Sequence, residues 1–291
     1  MDWLTVSKIP IGPFAKDAVS WLTTHGKGVF DFLKVFLQAG IDVVLFLLQA
    51  PWITSAGGKF AYALVLILLV TGVSWYFRRS LTVAAFTFFG LLLIVNQGYW
   101  KETTETLALV LAATGVSMVV GVPLGIAAAR RPWFYAILRP VLDLMQTIPT
   151  FVYLIPALIL FGLGMVPGLI ATVIFAIPAP IRLTRLGIIS TPPALVEAAQ
   201  AFGATPGQVL RKVELPFAMP QIMAGLTQTI MLSLSMVVIA ALVGAKGLGV
   251  PVVRALNTVN ISMGFEAGLC IVILAIILDR LFRSADEGDA Q

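Results

Sequence analysis

Seven runs of mostly apolar residues follow one another through this chain, each near the length of about 20 residues that a helix needs to cross a bilayer. They cover Lys59–Phe77, Leu81–Trp100, Thr104–Ala129, Val141–Gly162, Met165–Leu183, Gln221–Val243 and Gly264–Phe282. A water-soluble exterior needs charge and polarity. Here 59% of the 291 residues are hydrophobic and only 11% are charged, whereas a soluble domain averages about 25% charged. Lipid is the solvent that resolves the conflict, so the chain is expected to be an all-α, polytopic transmembrane bundle. The net charge of +5 is then no nucleic-acid signal, because the basic residues sit in short clusters between apolar runs. Cys270 is the only cysteine, which leaves no intrachain disulfide and no cysteine-based metal site. Met1–Pro10 lacks a charged stretch followed by an apolar one, so no cleaved signal peptide is expected.

Before these runs lies Val29–Ala50, whose polar residues Asp31, Lys34, Gln38, Asp42 and Gln49 fall on one side of a helix. The pattern predicts an amphipathic helix lying in the membrane interface; the alternative is an eighth crossing whose polar stripe faces its neighbours. Orientation follows from Lys and Arg. Arg78, Arg79, Arg130, Arg131, Arg139, Arg182, Arg185, Arg211, Lys212, Arg280 and Arg283 occupy alternate connections, and the others carry only Lys101, Lys246 and Arg254. The basic set is expected to face the cytoplasm, which puts the N-terminus outside and the C-terminus inside. The expected organisation is an extracytoplasmic tail with the amphipathic helix (1–58), a transmembrane domain (59–283) and a short cytoplasmic tail (284–291).

One connection is long. From Thr184 to Met219, roughly 35 residues separate the fifth and sixth runs, far more than an ordinary connection. Thr191-Pro192-Pro193 starts a helix, Ala194–Phe202 continues it, and Gly203 occupies the position where a helix turns left-handed. Thr205-Pro206-Gly207-Gln208 opens a second helix with a capping box, which is expected to run to about Glu214 and stop at Pro216. A rigid helix–turn–helix held against the membrane is what a soluble partner would grip.

The residues here resemble the permeases of ABC importers, which carry Glu-Ala-Ala, three residues, Gly, nine residues, then Ile-x-Leu-Pro. This chain has Glu197-Ala198-Ala199, Gly203 and Val213-Glu214-Leu215-Pro216 at the same spacing. Val213 for Ile is the one departure, and it nearly conserves volume. The resemblance implies a coupling loop, 184–219, that docks on a cytoplasmic ATPase subunit, with Glu197 orienting the loop and Gly203 permitting its turn. From Thr106 onward the chain also looks like the permeases for glycine betaine, proline betaine, choline and related solutes, through Pro123-Leu124-Gly125-Ile126, Met145-Gln146-Thr147-Ile148-Pro149, Phe151-Val152-Tyr153-Leu154 and Leu232–Ala240. That likeness implies a type I importer fold in a bacterial inner membrane, a permease homodimer surrounded by lipid, and an extracytoplasmic solute-binding protein as further partner.

A phosphate-binding loop needs Gly-Lys followed by Ser or Thr. Gly26-Lys27 and Gly58-Lys59 are followed by Gly28 and Phe60, so ATP hydrolysis is expected from another polypeptide, and the chain is expected to be neither an enzyme nor a carrier of a cofactor or metal. Pro149, Pro156, Pro167, Pro178 and Pro180 free backbone carbonyls at membrane depth, which is tolerated only inside protein or beside water. With Gln146, Thr147, Thr150 and Tyr153 they outline either a polar path or ordinary packed kinks. Gln228 and Ser235 are further candidates, and Tyr153 offers a π-face to a quaternary ammonium. Three other readings are weaker. A secondary transporter would show repeats or paired discontinuous helices, a membrane enzyme would show a zinc or nucleophile motif, and a DNA-binding helix–turn–helix would need longer helices away from the bilayer. The same permease role for an amino acid also stands as an alternative.

Overall fold

Every regular element in the described part of the chain is a helix. A computed structural model describes residues 11–49 and 51–282, so the outermost residues of both tails, Met1–Pro10 and Arg283–Gln291, lie outside the described residues. In chain order the helices are α1 (Ile11–His25), α2 (Lys27–Gln49), α3 (Pro51–Arg78), α4 (Leu81–Asn96), α5 (Trp100–Arg130), α6 (Pro132–Thr147), α7 (Thr150–Phe161), α8 (Met165–Ala176) and α9 (Pro178–Ile189). They continue with α10 (Pro193–Ala201), α11 (Pro206–Val209), a π-helical turn (Leu210–Glu214), α12 (Leu215–Ser235), α13 (Val237–Ala241), α14 (Gly249–Thr258) and α15 (Ile261–Phe282).

All seven apolar runs are helical, but they are not seven equal rods. Among the described residues, three units are long and apolar enough to cross a membrane alone: α5, the pair α8–α9 over Met165–Ile189, and α15. A fourth appears if α6 and α7 count together, yet these meet at 97°. The run Val141–Gly162, expected as one crossing, is therefore broken. Proline disfavours a helical conformation in the residue before it, and Ile148, before Pro149, is extended with ψ of 131°. A second departure is α14, a helix in the connection between the sixth and seventh runs.

The centre of the bundle is α5 against α9 and α12, brought close by small residues. A Cβ at Gly125 would stand 2.7 Å from the Ile181 carbonyl, and one at Gly187 would stand 2.9 Å from Ala218 and Gln221. Close backbone approach of this kind is how helices associate where lipid removes the hydrophobic drive. Ile188, Ala218 and Ile222 fill the seam near the basic end of the bundle, with Val122 and Ile126 packed on them. At the opposite end, Ile41 of α2 is buried with Leu109, Ala113, Met165 and Leu169.

The contacts of α2 decide how it lies on the bundle. Gln49 donates to Thr104 Oγ1 at 3.2 Å, near the start of α5. Phe30, toward the other end of α2, meets Phe161 edge-on at 5.6 Å, at the end of α7. Both partners are at the same end of the bundle, so α2 lies across that end rather than alongside α5 for its full length. Its large residues Phe32, Phe36, Val43 and Leu47 point away from the bundle and are exposed.

Candidate coupling loop and transport path

The loop between α9 and α12 divides into an anchored arm and a bare tip. In the arm, Thr205 N–H donates to Gln208 Oε1 at 2.7 Å, closing the capping box. Val209 is buried, and Leu210 and Leu215 pack on the Ile188–Ala218–Ile222 seam. Val213 is half-buried. The second helix was expected to stop at Pro216, but it runs on into α12. Proline lacks an N–H and its ring crowds the carbonyl four residues back. The π-turn relieves this by widening the helix, with Leu215 N–H donating to Leu210 O, and Pro216 then sits in the first turn of α12.

A strut fixes the arm to the bundle. Arg130, the last residue of α5, donates through Nη2 to Pro206 O at 2.7 Å and to Glu214 Oε2 at 3.3 Å. Sequence reading missed this pair, counting Arg130 only as a topology charge and Glu214 only as a spacer within the motif. The one available signal was an acid embedded in a basic loop.

The tip is α10 and the turn after it. Gly203 has φ of +81°, a conformation that L side chains reach at a cost of about 1–2 kcal/mol. Gly203 N–H donates to Gln200 O and Ala204 N–H to Ala199 O, at 2.9 and 3.0 Å. No neighbour stands within 4 Å of a Cβ placed on Gly203. Glu197 and Ala198 are exposed, and Ala199 is half-buried. Glu197 makes no hydrogen bond or ion pair with another described residue. Phe202 is 93% exposed and Leu195 47%. An apolar tip flanked by an unpaired acid is a surface that fits a partner better than water.

The path candidates fall into two groups. Gln146, Thr147, Thr150 and Tyr153 gather at the α6–α7 break. Arg182 Nη1 donates to Gln146 Oε1 at 3.0 Å, and its Nη2 donates to Asp143 Oδ1 at 2.6 Å, latching α6 to α9. The Tyr153 hydroxyl lies within reach of Met145 O and of Ile148 O, the latter at 3.0 Å, so it satisfies carbonyls that the break leaves open. Thr147 donates to Leu144 O at 3.4 Å, and Thr150 is half-buried at the start of α7. Gln146 and Tyr153 thus hold the bend as well as lining it. Gln228 and Ser235 lie elsewhere, on the exposed face of α12, where Ser235 donates to Met231 O at 3.0 Å. Phe217, Pro220, Ala224, Gln228, Met231 and Ser235 recur at helical spacing and form one uncovered stripe. The groups approach each other where Tyr153 and Leu154 of α7 pack against Met236, just after Ser235.

Comparison with known proteins matches residues 121–287 to the family described as binding-protein-dependent transport system inner membrane component. The glycine betaine transport system permease protein OpuAB of Bacillus subtilis is 44% identical over 94% of this chain and 93% of its own. The glycine betaine/carnitine transport permease protein GbuB of Listeria monocytogenes is 45% identical over 97% of both. Among solved structures, an inward facing conformation of the MetNI methionine ABC transporter aligns with a TM-score of 0.56 and 26% identity, over 62% of this chain and 93% of that one.

Proposed function

The chain belongs to the family of binding-protein-dependent transport system inner membrane components, and from that premise we propose that it forms the membrane path for a quaternary-ammonium compatible solute such as glycine betaine, choline or proline betaine. It is the permease subunit of an ABC-type importer. The observation that carries the reading of an ATPase-driven permease is the coupling loop, a bare apolar tip beside Glu197, which has no partner among the described residues, on an arm that Arg130 and Glu214 strap to the bundle. A separate ATPase subunit grips this tip, with Phe202 and Leu195 as its apolar anchors, and supplies the hydrolysis. The loop end therefore faces the cytoplasm, with the N-terminal region and α2 on the extracytoplasmic side, where a solute-binding protein delivers the solute.

The uncovered stripe of α12 supports a permease homodimer. Gln228 is costly against lipid, and a second copy facing it would cover the stripe and enclose a path between the two chains. The solute class rests on the printed functions of relatives more than 40% identical over nearly the whole chain. The methionine transporter shares less identity over less of the chain, and an amino acid is the second reading.

Uptake tests the reading. Cells with and without this gene are given labelled glycine betaine, choline and proline, before and after ATP depletion. ATP-dependent uptake of a quaternary amine that disappears with the gene is the expected result. Equal entry of all three in both strains would remove the solute assignment.

A further inference from the structure

At the end of the bundle away from the coupling loop, a cavity of about 240 Å³ opens between the start of α5 and the segment leading through α14. Its wall carries both signs of charge: Glu102 and Glu105 on α5, Lys101 beside them, and Lys246 and Arg254 opposite, with Tyr99 closing one side. Among the described residues, none of these charged side chains reaches ion-pair distance of another. Glu105 is 7% exposed and has no hydrogen-bond or ion-pair partner among the described residues, whereas Glu102 lines the cavity with its Oε2 turned away from the opening and fully buried. Burying a carboxylate oxygen unpaired is costly, and such groups in native proteins call for an explanation. Opposite charges held apart across a shared cavity are explained by a ligand that brings the complement of each.

We propose that this cavity is a binding site for a small zwitterion, separate from the path at the α6–α7 break and the α12 stripe. Its cationic group sits against Glu102, Glu105 and the Tyr99 ring, and its anionic group against Lys246 and Arg254. Carboxylates and an aromatic face together suit a quaternary or secondary ammonium, and Arg suits a carboxylate through paired hydrogen bonds. The volume lies just under the roughly 300–1,000 Å³ that holds drug-sized molecules, which leaves room for a compact metabolite. The position is built by the fold: Leu248 N–H donates to Thr106 Oγ1 at 2.8 Å, pinning the Lys246–Gly247 turn over the start of α5. The choice of glycine betaine as first probe rests on the proposed solute class; the cavity argument does not.

The test is equilibrium binding of labelled glycine betaine, choline, proline and acetate to the full chain in lipid nanodiscs, without any solute-binding protein. Saturable glycine betaine binding is expected. Glu102→Gln should weaken both glycine betaine and choline by about tenfold, and Arg254→Gln should weaken glycine betaine by about tenfold while leaving choline unchanged, since each removes one charge-assisted contact. Arg254 is exposed, so its substitution reads binding rather than folding. Proline binding with the same residue dependence, in place of glycine betaine, supports the site and counts against the solute class. Absence of saturable binding by either zwitterion, or binding indifferent to both substitutions, overturns the site and leaves the uptake assay to judge the transport function.

Discussion

Pro149 and Pro216 pose the same local problem and receive opposite solutions. Each removes a helical hydrogen bond and crowds a carbonyl. At Pro216 the helix widens by one π-turn and continues from Pro206 to Ser235, with Leu215 still helical at φ −65° and ψ −47°. At Pro149 the chain turns by 97° and Tyr153 takes up carbonyls at the break. The surroundings decide between them. Around Pro216 the Arg130 strut and the buried Val209 hold both sides of the turn in line. Around Pro149 the Arg182 latch ties α6 to α9, while α7 packs on α8 and α13, so the two halves answer to different neighbours. A proline in a membrane helix thus marks where a rod is allowed to bend, and packing determines whether it does.

The largest effect is expected at the tip of the straight arm. Gly203→Asp should reduce uptake to background with normal membrane abundance on immunoblots, because φ of +81° strains any Cβ and the tip must meet its partner closely. Normal uptake by this variant would break the docking picture. Next comes Pro149→Ala, which frees Ile148 to become helical. Spin labels on cysteines at the exposed Ile137 and Ile159 should move apart as the bend relaxes, and uptake should fall several-fold; Cys270, 1% exposed, leaves the labelling specific. An unchanged distance would mean that Tyr153 and the Arg182 latch impose the bend without help from the proline. Glu214→Gln should lower uptake by at most roughly fivefold, since a partly exposed ion pair is worth about 1 kcal/mol or less. Adding Arg130→Ala to it should cost little more than Arg130→Ala alone. The smallest effect is expected for Pro216→Ala, where the helix is already continuous: uptake should stay near wild type, and a collapse would show that the π-turn itself is needed.

What could be read from the sequence divides along the same line. The loop helices were legible to within a residue or two because their signals are local: Pro193 in the first turn, the Thr205–Gln208 box and Gly203 each act on their own few residues. The continuation past Pro216 was not legible, because the forces that allow it come from Arg130, 76 residues before Pro206, and from the α5 and α9 seam. A kink at Pro149 was legible, but not a turn of 97°, because hydropathy carries no record of direction. Helix α14 was not legible because it lies in the connection between the sixth and seventh runs and is too short to show as an apolar run, although Pro251 lies in its first turn, where proline is tolerated. Among the path candidates, residue type was a fair guide to location for Gln146, Thr147, Thr150 and Tyr153, which the fold gathers at one bend. It gave no warning that Arg182 already engages Gln146, a contact made across 36 positions of chain.

One helix joins the candidate coupling loop to the proposed cavity. With 31 residues, α5 spans about 46 Å at 1.5 Å per residue, longer than the hydrocarbon thickness of about 30 Å. Glu102 and Glu105 stand near its first turn, and Arg130 is its last residue. Such a rod is a lever: a tilt that shifts the coupling loop at one end must swing the charged cavity at the other, and cargo lodged in that cavity would load the beam against the stroke.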